Sequence, residues 1–312
     1  MVGDRGGRHF PVLLGLLALC AARAPAATIV VAPGPGTPLQ TAIDLAERGD
    51  TIRLGAGVFQ ESIVVTKSLR IVGSFTGNAH DRTTPNLTTI DAGCDAPYPI
   101  DVAADHVRLE RLDVIRGTEG GVRIIGRDKV QVWDLRPRAV QGNAAASCGG
   151  ERFGFNISGG GKIKLAGGSV RGDMAAHPTG LGFLTAGIRI ADVVSTGRVE
   201  LRDYTSTGNA VGVLVEDSVG PGVKLRSLVI SATDTGILLH NADVVTVSKN
   251  VVNSANGLKA EVGVRVDATS NDNRLSSNEF VGSGIDLLDL GLGNCWRKNV
   301  FITGTLPLFN CL

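Results

Sequence analysis

The sequence predicts an all-β fold, a single-stranded parallel β-helix with a short capping helix at its N-terminal end. Three observations lead to this prediction. A glycine-led apolar strand recurs about every two dozen residues, a second series of alternating strands keeps step with it, and no helical segment separates the two. A fixed period of this length is typical of a solenoid, in which each repeat buries its apolar side chains only against its neighbours.

The N-terminal segment has the layout of a secretory signal peptide. Basic residues precede a short apolar stretch at residues 12–22, and Ala24-Pro-Ala26 offers a cleavage site between small residues. We therefore expect a signal peptide at 1–26 and a β-helix domain at 27–312, exported to the periplasm or the medium. A lipoprotein anchor at Cys20 is the alternative, and the bulky residue before that cysteine disfavours it. The apolar stretch is too short for a membrane span, and no later segment offers one.

Composition narrows the class of partner. The 312 residues include 31 basic and 30 acidic side chains, a net charge of +1, so we expect no nucleic-acid partner. The 42 glycines fit a chain that turns sharply many times. We expect a monomer.

A helix opens the domain. Thr37 can cap it, Pro38 suits the first helical position, and Gln40 completes a capping box. Leu39, Ala42, Ile43 and Ala46 then form one apolar face, and the helix is predicted to end at Gly49-Asp50. Such a helix covers the open edge and the exposed core of the first coil.

Short strands follow the helix in two series. The first strands are predicted at 51–54, 62–65 and 69–72, and the glycine-led copies start at Gly121, Gly154, Gly187, Gly212, Gly236, Gly263 and Gly284. The second series starts at Val107, Val130, Ile163, Val199, Val223 and Val245. Asn250, Asn278 and Asn299 recur five positions after the start of a second-series strand. We predict that they stack at a turn and hydrogen-bond along the solenoid.

Four cysteines remain after removal of the signal peptide, an even number in an oxidising compartment. Three pairings are open to them, and we favour Cys94–Cys148 and Cys295–Cys311. No Cys-x-x-Cys pair occurs, so we expect no zinc site and no other metal site.

The opening of the domain resembles a known superfamily. The residues that carry the resemblance are Leu39–Asp44, Gly49–Phe59 and Leu69–Gly73, followed by the coils up to Gly304. They resemble the right-handed parallel β-helix superfamily of pectate lyases, mannuronan epimerases and NosD-like periplasmic proteins. The resemblance implies a right-handed solenoid and either an enzyme of acidic polysaccharides or a non-catalytic module with the same fold. It also implies, through the NosD-like members, a third role in maturing a periplasmic metal enzyme, although no methionine- or histidine-rich copper site supports it.

Alternation places two rows of side chains on the outside of the glycine-led strands, the second and the fourth residue after each glycine. The fourth positions bring Glu216, His240 and Asp267 into one ladder on three adjacent coils. The second positions place Arg189, Arg265 and Asp286 in the neighbouring row.

These groups are suited to proton abstraction from a uronate sugar. His240 is the candidate base, Glu216 or Asp267 orients it or acts as acid, and Arg265 neutralises the sugar carboxylate. Arg189 and Asp286 are candidate substrate-binding residues. A solvated row of mixed charges, or ligand contact without catalysis, are the competing interpretations.

Two insertions precede the ladder. Gly121 to Gly154 and Gly154 to Gly187 each span 33 positions, against 25 from Gly187 to Gly212. Insertions in solenoids gather on the binding face. We therefore add His177 as a candidate substrate-binding residue, with an ordinary turn as the alternative.

Family motifs are missing from the chain. The calcium cluster of pectate lyases is not recognisable, and His177-Pro178 is only a fragment of the Asp-Pro-His-Asp motif of mannuronan epimerases. We expect no cofactor, although calcium stays open, and an acidic polysaccharide as partner. Whether the chain is an enzyme, a lyase or C5-epimerase, or a non-catalytic binding module is not decided by its sequence.

Overall fold

The computed structural model describes residues 25–74, 87–138, 148, 153–172, 186–253 and 260–305. The predicted signal peptide lies outside these residues apart from 25–26. The extra residues of the two insertions, at 143–152 and 172–182, lie outside them apart from Cys148 and residue 172. His177 and Cys311 lie outside them as well. Among the described residues, no helix has the length and apolar character needed to cross a membrane.

One helix and 26 strands follow one another along the described chain, all strand pairings being parallel. The helix is α1 (Pro38–Leu45). The strands of the first half are β1 (Thr28–Val31), β2 (Thr51–Leu54), β3 (Gly57–Phe59), β4 (Ile63–Val65), β5 (Arg70–Val72), β6 (Thr88–Asp91), β7 (Ile100–Val102), β8 (Arg108–Glu110), β9 (Asp113–Ile115), β10 (Gly120–Ile125), β11 (Val130–Pro137), β12 (Phe153–Ser158) and β13 (Lys162–Arg171). Those of the second half are β14 (Ala186–Ala191), β15 (Arg198–Arg202), β16 (Thr205–Ser218), β17 (Val223–Arg226), β18 (Val229–Ala242), β19 (Thr246–Ser248), β20 (Val251–Asn253), β21 (Val262–Val266), β22 (Arg274–Ser276), β23 (Glu279–Val281), β24 (Ile285–Asp289), β25 (Cys295–Arg297) and β26 (Val300–Phe301).

The strands form three ladders, which we call faces A, B and C. Face A consists of β1, β2, β5, β8, the starts of β11 and β13, β15, β17, β19, β22 and β25. Face B consists of β3, β6, β9, the ends of β11 and β13, the starts of β16 and β18, β20, β23 and β26. Face C consists of β4, β7, β10, β12, β14, the ends of β16 and β18, β21 and β24. The chain is therefore a parallel β-helix with three strands to most coils.

Face C contains the glycine-led strands and face A the second series, as predicted. Face B was not predicted from the sequence, because most of its strands are short and lack a leading glycine. The inward residues of face C fill the tube with stacked aliphatic rows, and Ile188, Val213, Ile237 and Val264 are fully buried. This burial stabilises the coils because apolar surface leaves water only where coils stack.

The capping helix is confirmed, but it ends at Leu45 and not at the predicted Gly49-Asp50, and its capping box does not form. Thr37 makes no side-chain capping bond. Instead the carboxylate of Glu61, from the turn before β4, accepts the amide hydrogens of Leu39 at 2.9 Å and Gln40 at 2.8 Å. At the other end, the ammonium group of Lys67 donates to the carbonyl groups of Asp44 at 2.6 Å and of Ala46 at 2.9 Å. The next turns of the chain therefore satisfy both helix ends.

The asparagine ladder is confirmed as structural. Asn250 Nδ2 donates to Asn278 Oδ1 at 3.0 Å, and Asn278 Nδ2 donates to Asn299 Oδ1 at 2.8 Å. Asn250 and Asn278 are buried. These bonds tie the turn between faces A and B from one coil to the next.

One predicted disulfide is confirmed. Cys94 and Cys148 are joined across 54 residues, which fixes the position of residue 148 against the third coil. Cys295 is disulfide-bonded as well. Its expected partner, Cys311, lies outside the described residues, so that pairing stays a prediction.

Candidate functional site

The predicted ladder forms on face C. Glu216, near the end of β16, is the register partner of His240 on β18. Leu239 is the register partner of Val266, the last residue of β21, so Asp267 follows directly beside His240. The residues inward of this ladder are fully buried, which fixes the three polar side chains on the outside.

His240 and Asp267 form a direct pair. His240 Nδ1 hydrogen-bonds to Asp267 Oδ2. The histidine side chain is 57% exposed, whereas the aspartate side chain is 14% exposed. Because Nδ1 is occupied, the second ring nitrogen, Nε2, is the atom available to a ligand on the outside of face C.

Asp267 is held from several sides. Its Oδ1 accepts the amide of Thr269 at 3.0 Å, the hydroxyl of Thr269 at 2.7 Å and the hydroxyl of Ser270 at 2.9 Å. Burial on its own raises the pKa of this carboxyl group, but the hydrogen bonds from Thr269, Ser270 and His240 outweigh burial and lower the pKa below its ordinary value. The carboxylate therefore stays ionised and keeps the imidazole in one orientation.

Glu216 is engaged in a second network. It accepts a hydrogen bond from Arg189 Nε at 2.5 Å, and Arg189 Nη1 donates to Asn156 Oδ1 at 2.8 Å. Asn156 in turn donates to the hydroxyl of Tyr98 at 2.9 Å. Arg189 lies over the ring of Phe153, 5.5 Å from its centroid. Arg189 is thus neutralised by Glu216, which reduces its capacity to bind a second carboxylate.

Arg265 lies on the outside of face C. It is the register partner of Leu238 and Leu288 on the adjacent strands, and its side chain is exposed. Among the described residues it forms no ion pair within 4.0 Å, in contrast to Arg189. A carboxylate of a ligand lying across Leu238 therefore has Arg265 as its nearest unpaired cation in the second row.

The predicted place of Asp286 in this row is wrong. Val262 pairs with Ile285 and Val264 with Leu287, so Asp286 is level with Gly263, and the last copy of the repeat is displaced by two residues. Asp286 is buried, and its carboxylate accepts the amides of Ser283 at 3.1 Å, Ile302 at 2.9 Å and Thr303 at 2.9 Å. Burial raises the pKa of this group, and these hydrogen bonds lower it by more. Its observed contacts are those of a structural residue.

The sequence did not point to several members of the two networks. Thr269 and Ser270 lie in a turn that has no repeat signal, and Asn156 and Tyr98 belong to different coils, 58 residues apart. The sequence Asp267-Ala-Thr-Ser270 is a signal that could have identified the clamp, because Asp, Ser and Thr side chains after a strand form local turn hydrogen bonds. His177 and the insertions cannot be placed, since they lie outside the described residues.

Among the described residues, no group of three or more His, Cys, Asp or Glu side chains is arranged to hold a metal ion. Calcium favours several carboxylate and carbonyl oxygens around one point. The two carboxylates of the ladder are committed to other partners, Asp267 to His240 and Glu216 to Arg189.

Comparisons with known proteins agree with this architecture. The family model described as "Periplasmic copper-binding protein (NosD)" matches residues 182–306. None of the curated proteins matches the chain. The solved polygalacturonase from Erwinia carotovora ssp. carotovora shares 11% identity over 93% of this chain and 97% of that chain, with a TM-score of 0.62. The chain is a right-handed parallel β-helix protein.

A second solved structure, Geobacillus virus E2 ORF18, has a TM-score of 0.53 and 11% identity, covering 88% of this chain and 62% of that chain. At these identities the likeness is one of fold. It leaves the chemistry of this protein to its own side chains.

Copper does not fit the residues that match the NosD model. Between 182 and 306 the chain has one histidine, His240, one cysteine, Cys295, and no methionine. The histidine is paired with Asp267 and the cysteine is disulfide-bonded. Copper sites need several imidazole, thiolate or thioether ligands.

Proposed function

We propose that this exported β-helix protein binds an acidic polysaccharide across face C and transfers a proton at a uronate unit through His240. The observation that carries the proposal is the His240–Asp267 pair, with an anchored carboxylate on one ring nitrogen and the other nitrogen facing solvent. The polysaccharide class is supported by the fold shared with polygalacturonase and by the resemblance to lyases and epimerases.

The chemistry follows from the positions of the charges. The hydrogen on C5 of a uronate becomes more acidic when the adjacent carboxylate is neutralised, a task for the unpaired Arg265. His240 Nε2 then takes the C5 proton, and Asp267 stabilises the imidazolium that forms. The electron pair left on C5 has two outcomes. It expels the O4 glycosidic oxygen, which takes a proton from the imidazolium or from water and leaves a C4–C5 double bond. Alternatively C5 takes a proton from water on the opposite face, giving the epimer.

Export of the protein belongs to the same proposal. A disulfide between Cys94 and Cys148 persists in an oxidising compartment, and the matched family model describes a periplasmic protein. The layout of residues 1–26 supports removal of a signal peptide. Mass measurement of the protein recovered from the periplasm tests this, since cleavage after Ala26 leaves a chain that starts at Ala27.

A second function is favoured by a specific observation. Arg189 is bound to Glu216, and Arg123, two coils further from the ladder, is bound to Asp101. Face C therefore offers few unpaired cations to neutralise the carboxylate of a uronate during proton abstraction. This suits a module that holds a glycan without turning it over. In this case Arg265 contributes to affinity and His240 is dispensable.

The test is a polymer cleavage assay on the mature protein with alginate and polygalacturonate. Unsaturated products are followed by their ultraviolet absorbance, and His240→Gln is compared with His106→Gln, the same change at an exposed histidine on a turn. We expect His240→Gln to lower the rate at least about 100-fold, the usual contribution of a proton-transferring side chain, and His106→Gln to leave it unchanged. Equal rates for both variants remove His240 from the mechanism. Binding by the unmodified protein with neither unsaturated products nor exchange of the C5 hydrogen in D₂O, weakened by Arg265→Gln, establishes the non-catalytic function.

A further inference from the structure

Face A carries a concentration of positive charge that is not apparent from the net charge of the whole chain. Its first outward row contains five cations and one acid: Arg70, Arg108, Lys164, Lys224, Arg274 and Glu200. Its second outward row contains four cations and one acid: Arg53, Arg202, Arg226, Arg297 and Glu110. Nine cations against two acids give these rows a net charge of +7, whereas the whole chain has +1.

The other two faces are nearly balanced. The two outward rows of face C carry three cations and three acids: Arg123, Arg189, Arg265, Asp101, Glu216 and Asp267. The outward rows of face B carry Arg136, Arg138, Arg171, Asp91, Asp113 and Glu279. A polyanion approaching the described part of the solenoid therefore meets its strongest attraction on face A.

The cations of face A differ between the two ends of the solenoid. Near the N-terminal end, Arg70 and Arg108 share the carboxylate of Glu110, with Arg70 Nε at 2.7 Å from Oε1. Towards the C-terminal end, four exposed cations form no ion pair within 4.0 Å among the described residues: Lys224, Arg226, Arg274 and Arg297. These four keep their full capacity to bind an external anion.

An aromatic ring lies at the middle of face A. Trp133, on the second outward row, has Lys164 5.3 Å, Arg202 5.5 Å and Arg108 5.8 Å from its ring centroid. Each cation is attracted by the ring, but the three repel one another. An anion placed among them relieves this repulsion. Trp133 is also a single aromatic in these rows, whereas proteins that bind single-stranded nucleic acid stack successive bases on several.

We infer that face A binds an acidic polysaccharide lying along the solenoid axis, on a surface separate from His240. Successive coils repeat about every 4.8 Å, so the exposed cations lie in line along the axis, at separations of one or more coils. A linear polymer with an anionic group on each unit is complementary to such a ladder. The inference takes the class of polymer from the proposed function, but it concerns a different face and does not require turnover.

The experiment uses the two tryptophans as reporters. Trp133 lies on face A, whereas Trp296 is buried and donates its indole hydrogen to Asp289 at 2.6 Å. Titration of the mature protein with alginate is expected to change the Trp133 emission. Trp296→Phe retains this change and Trp133→Phe loses it.

Affinity is then compared between matched variants. Each cation facing an anionic surface contributes about a fivefold factor at low salt. We therefore expect Arg226→Gln with Arg274→Gln to weaken alginate binding about 25-fold, and binding to weaken as salt rises. Arg123→Gln, the same change at an arginine of face C that is paired with Asp101, is expected to weaken it no more than about twofold. Thermal melting shows whether each variant is folded.

The outcomes separate this inference from the proposed function. Affinity of the face A double variant within twofold of the unmodified protein overturns the inference, whatever His240 does. Tighter binding to single-stranded DNA or to phosphatidylglycerol vesicles than to alginate overturns it too, since the partner then belongs to another class. A 25-fold loss in a protein that gives neither unsaturated products nor exchange of the C5 hydrogen upholds face A while the catalytic proposal fails.

Discussion

At the scale of single residues, the site depends on the different partners of the two carboxylates in its ladder. Glu216 gives its charge to Arg189, whereas Asp267 holds His240 and is itself held by Thr269 and Ser270. The first pair is self-contained. The second leaves a polarised imidazole with one ring nitrogen facing solvent, and for this reason His240 is the residue to which we assign chemistry.

The lowered pKa of Asp267 gives a prediction for stability against acid. A carboxyl group whose pKa is lower in the folded chain stabilises the fold when ionised, and this stability is present above the unfolded pKa of about 3.9. It is lost as the pH falls through the folded value. We expect Asp267→Asn to be less stable than the unmodified protein at pH 7, with a difference that shrinks below about pH 4.

Urea unfolding at pH 7 and at pH 3 measures this difference. Asp234→Asn serves as the control because Asp234 is exposed and accepts a long hydrogen bond of 3.5 Å from the hydroxyl of Thr235. A difference for Asp267→Asn that stays the same at both pH values contradicts the assigned role of the carboxylate.

At the scale of elements, the leading glycine of the repeat has a steric origin. A Cβ atom on Gly212 would lie 2.3 Å from Ile230 Cγ2 and 2.5 Å from the carbonyl oxygen of Gly236. On Gly236 it would lie 2.3 Å from Val252 Cγ1. Each glycine thus allows the start of a face C strand to pack against the side chains of face B, so the repeat marks a corner of the tube.

Gly212→Ala is therefore expected to destabilise the fold by about 2 kcal/mol, since overpacking of a filled core costs about 1–3 kcal/mol. Gly34→Ala is the matched control, because nothing lies within 4 Å of its added methyl group. Urea unfolding midpoints give both values. Equal stability of the two variants contradicts the steric account of the repeat.

The same elements show what a sequence can and cannot predict. Alternation identified the inward and outward residues of face C from Gly187 to Asp267, because a strand has a strict period of two. It failed at Asp286, where a shorter spacing conceals a shift in register. The caps of α1, supplied by Glu61 and Lys67, were not predictable, since they come from the following turns and depend on how the coil closes.

Face A was missed for a related reason. Its cations lie about one coil apart in the sequence, so no local run of charge reveals them, and the total of +1 conceals them. Their concentration appears only when the register stacks Arg202 beside Arg226 and Lys164 in the neighbouring row. The alternation of a strand predicts which residues face outward. The register between the stacked coils is needed to show that the outward cations lie on one surface.

At the scale of the whole molecule, a straight solenoid provides two long faces with different properties. Face C presents the His240–Asp267 pair among largely neutralised charges, and face A presents a ladder of cations that is neutralised only in part, by Glu110 near the N-terminal end. A polymer held on face A and processed on face C is therefore a coherent use of one rigid scaffold, with the stacked core fixing the distance between the two faces.

The most direct measurement of the central claim is exchange of the C5 hydrogen of an oligouronate in D₂O, followed by proton NMR. Abstraction at C5 precedes both cleavage and epimerisation, so the signal of that hydrogen disappears under either reaction. We expect the unmodified protein to remove this signal, and His240→Gln to remove it at least about 100-fold more slowly. A C5 signal that persists unchanged in both, with the oligouronate bound, contradicts the claim.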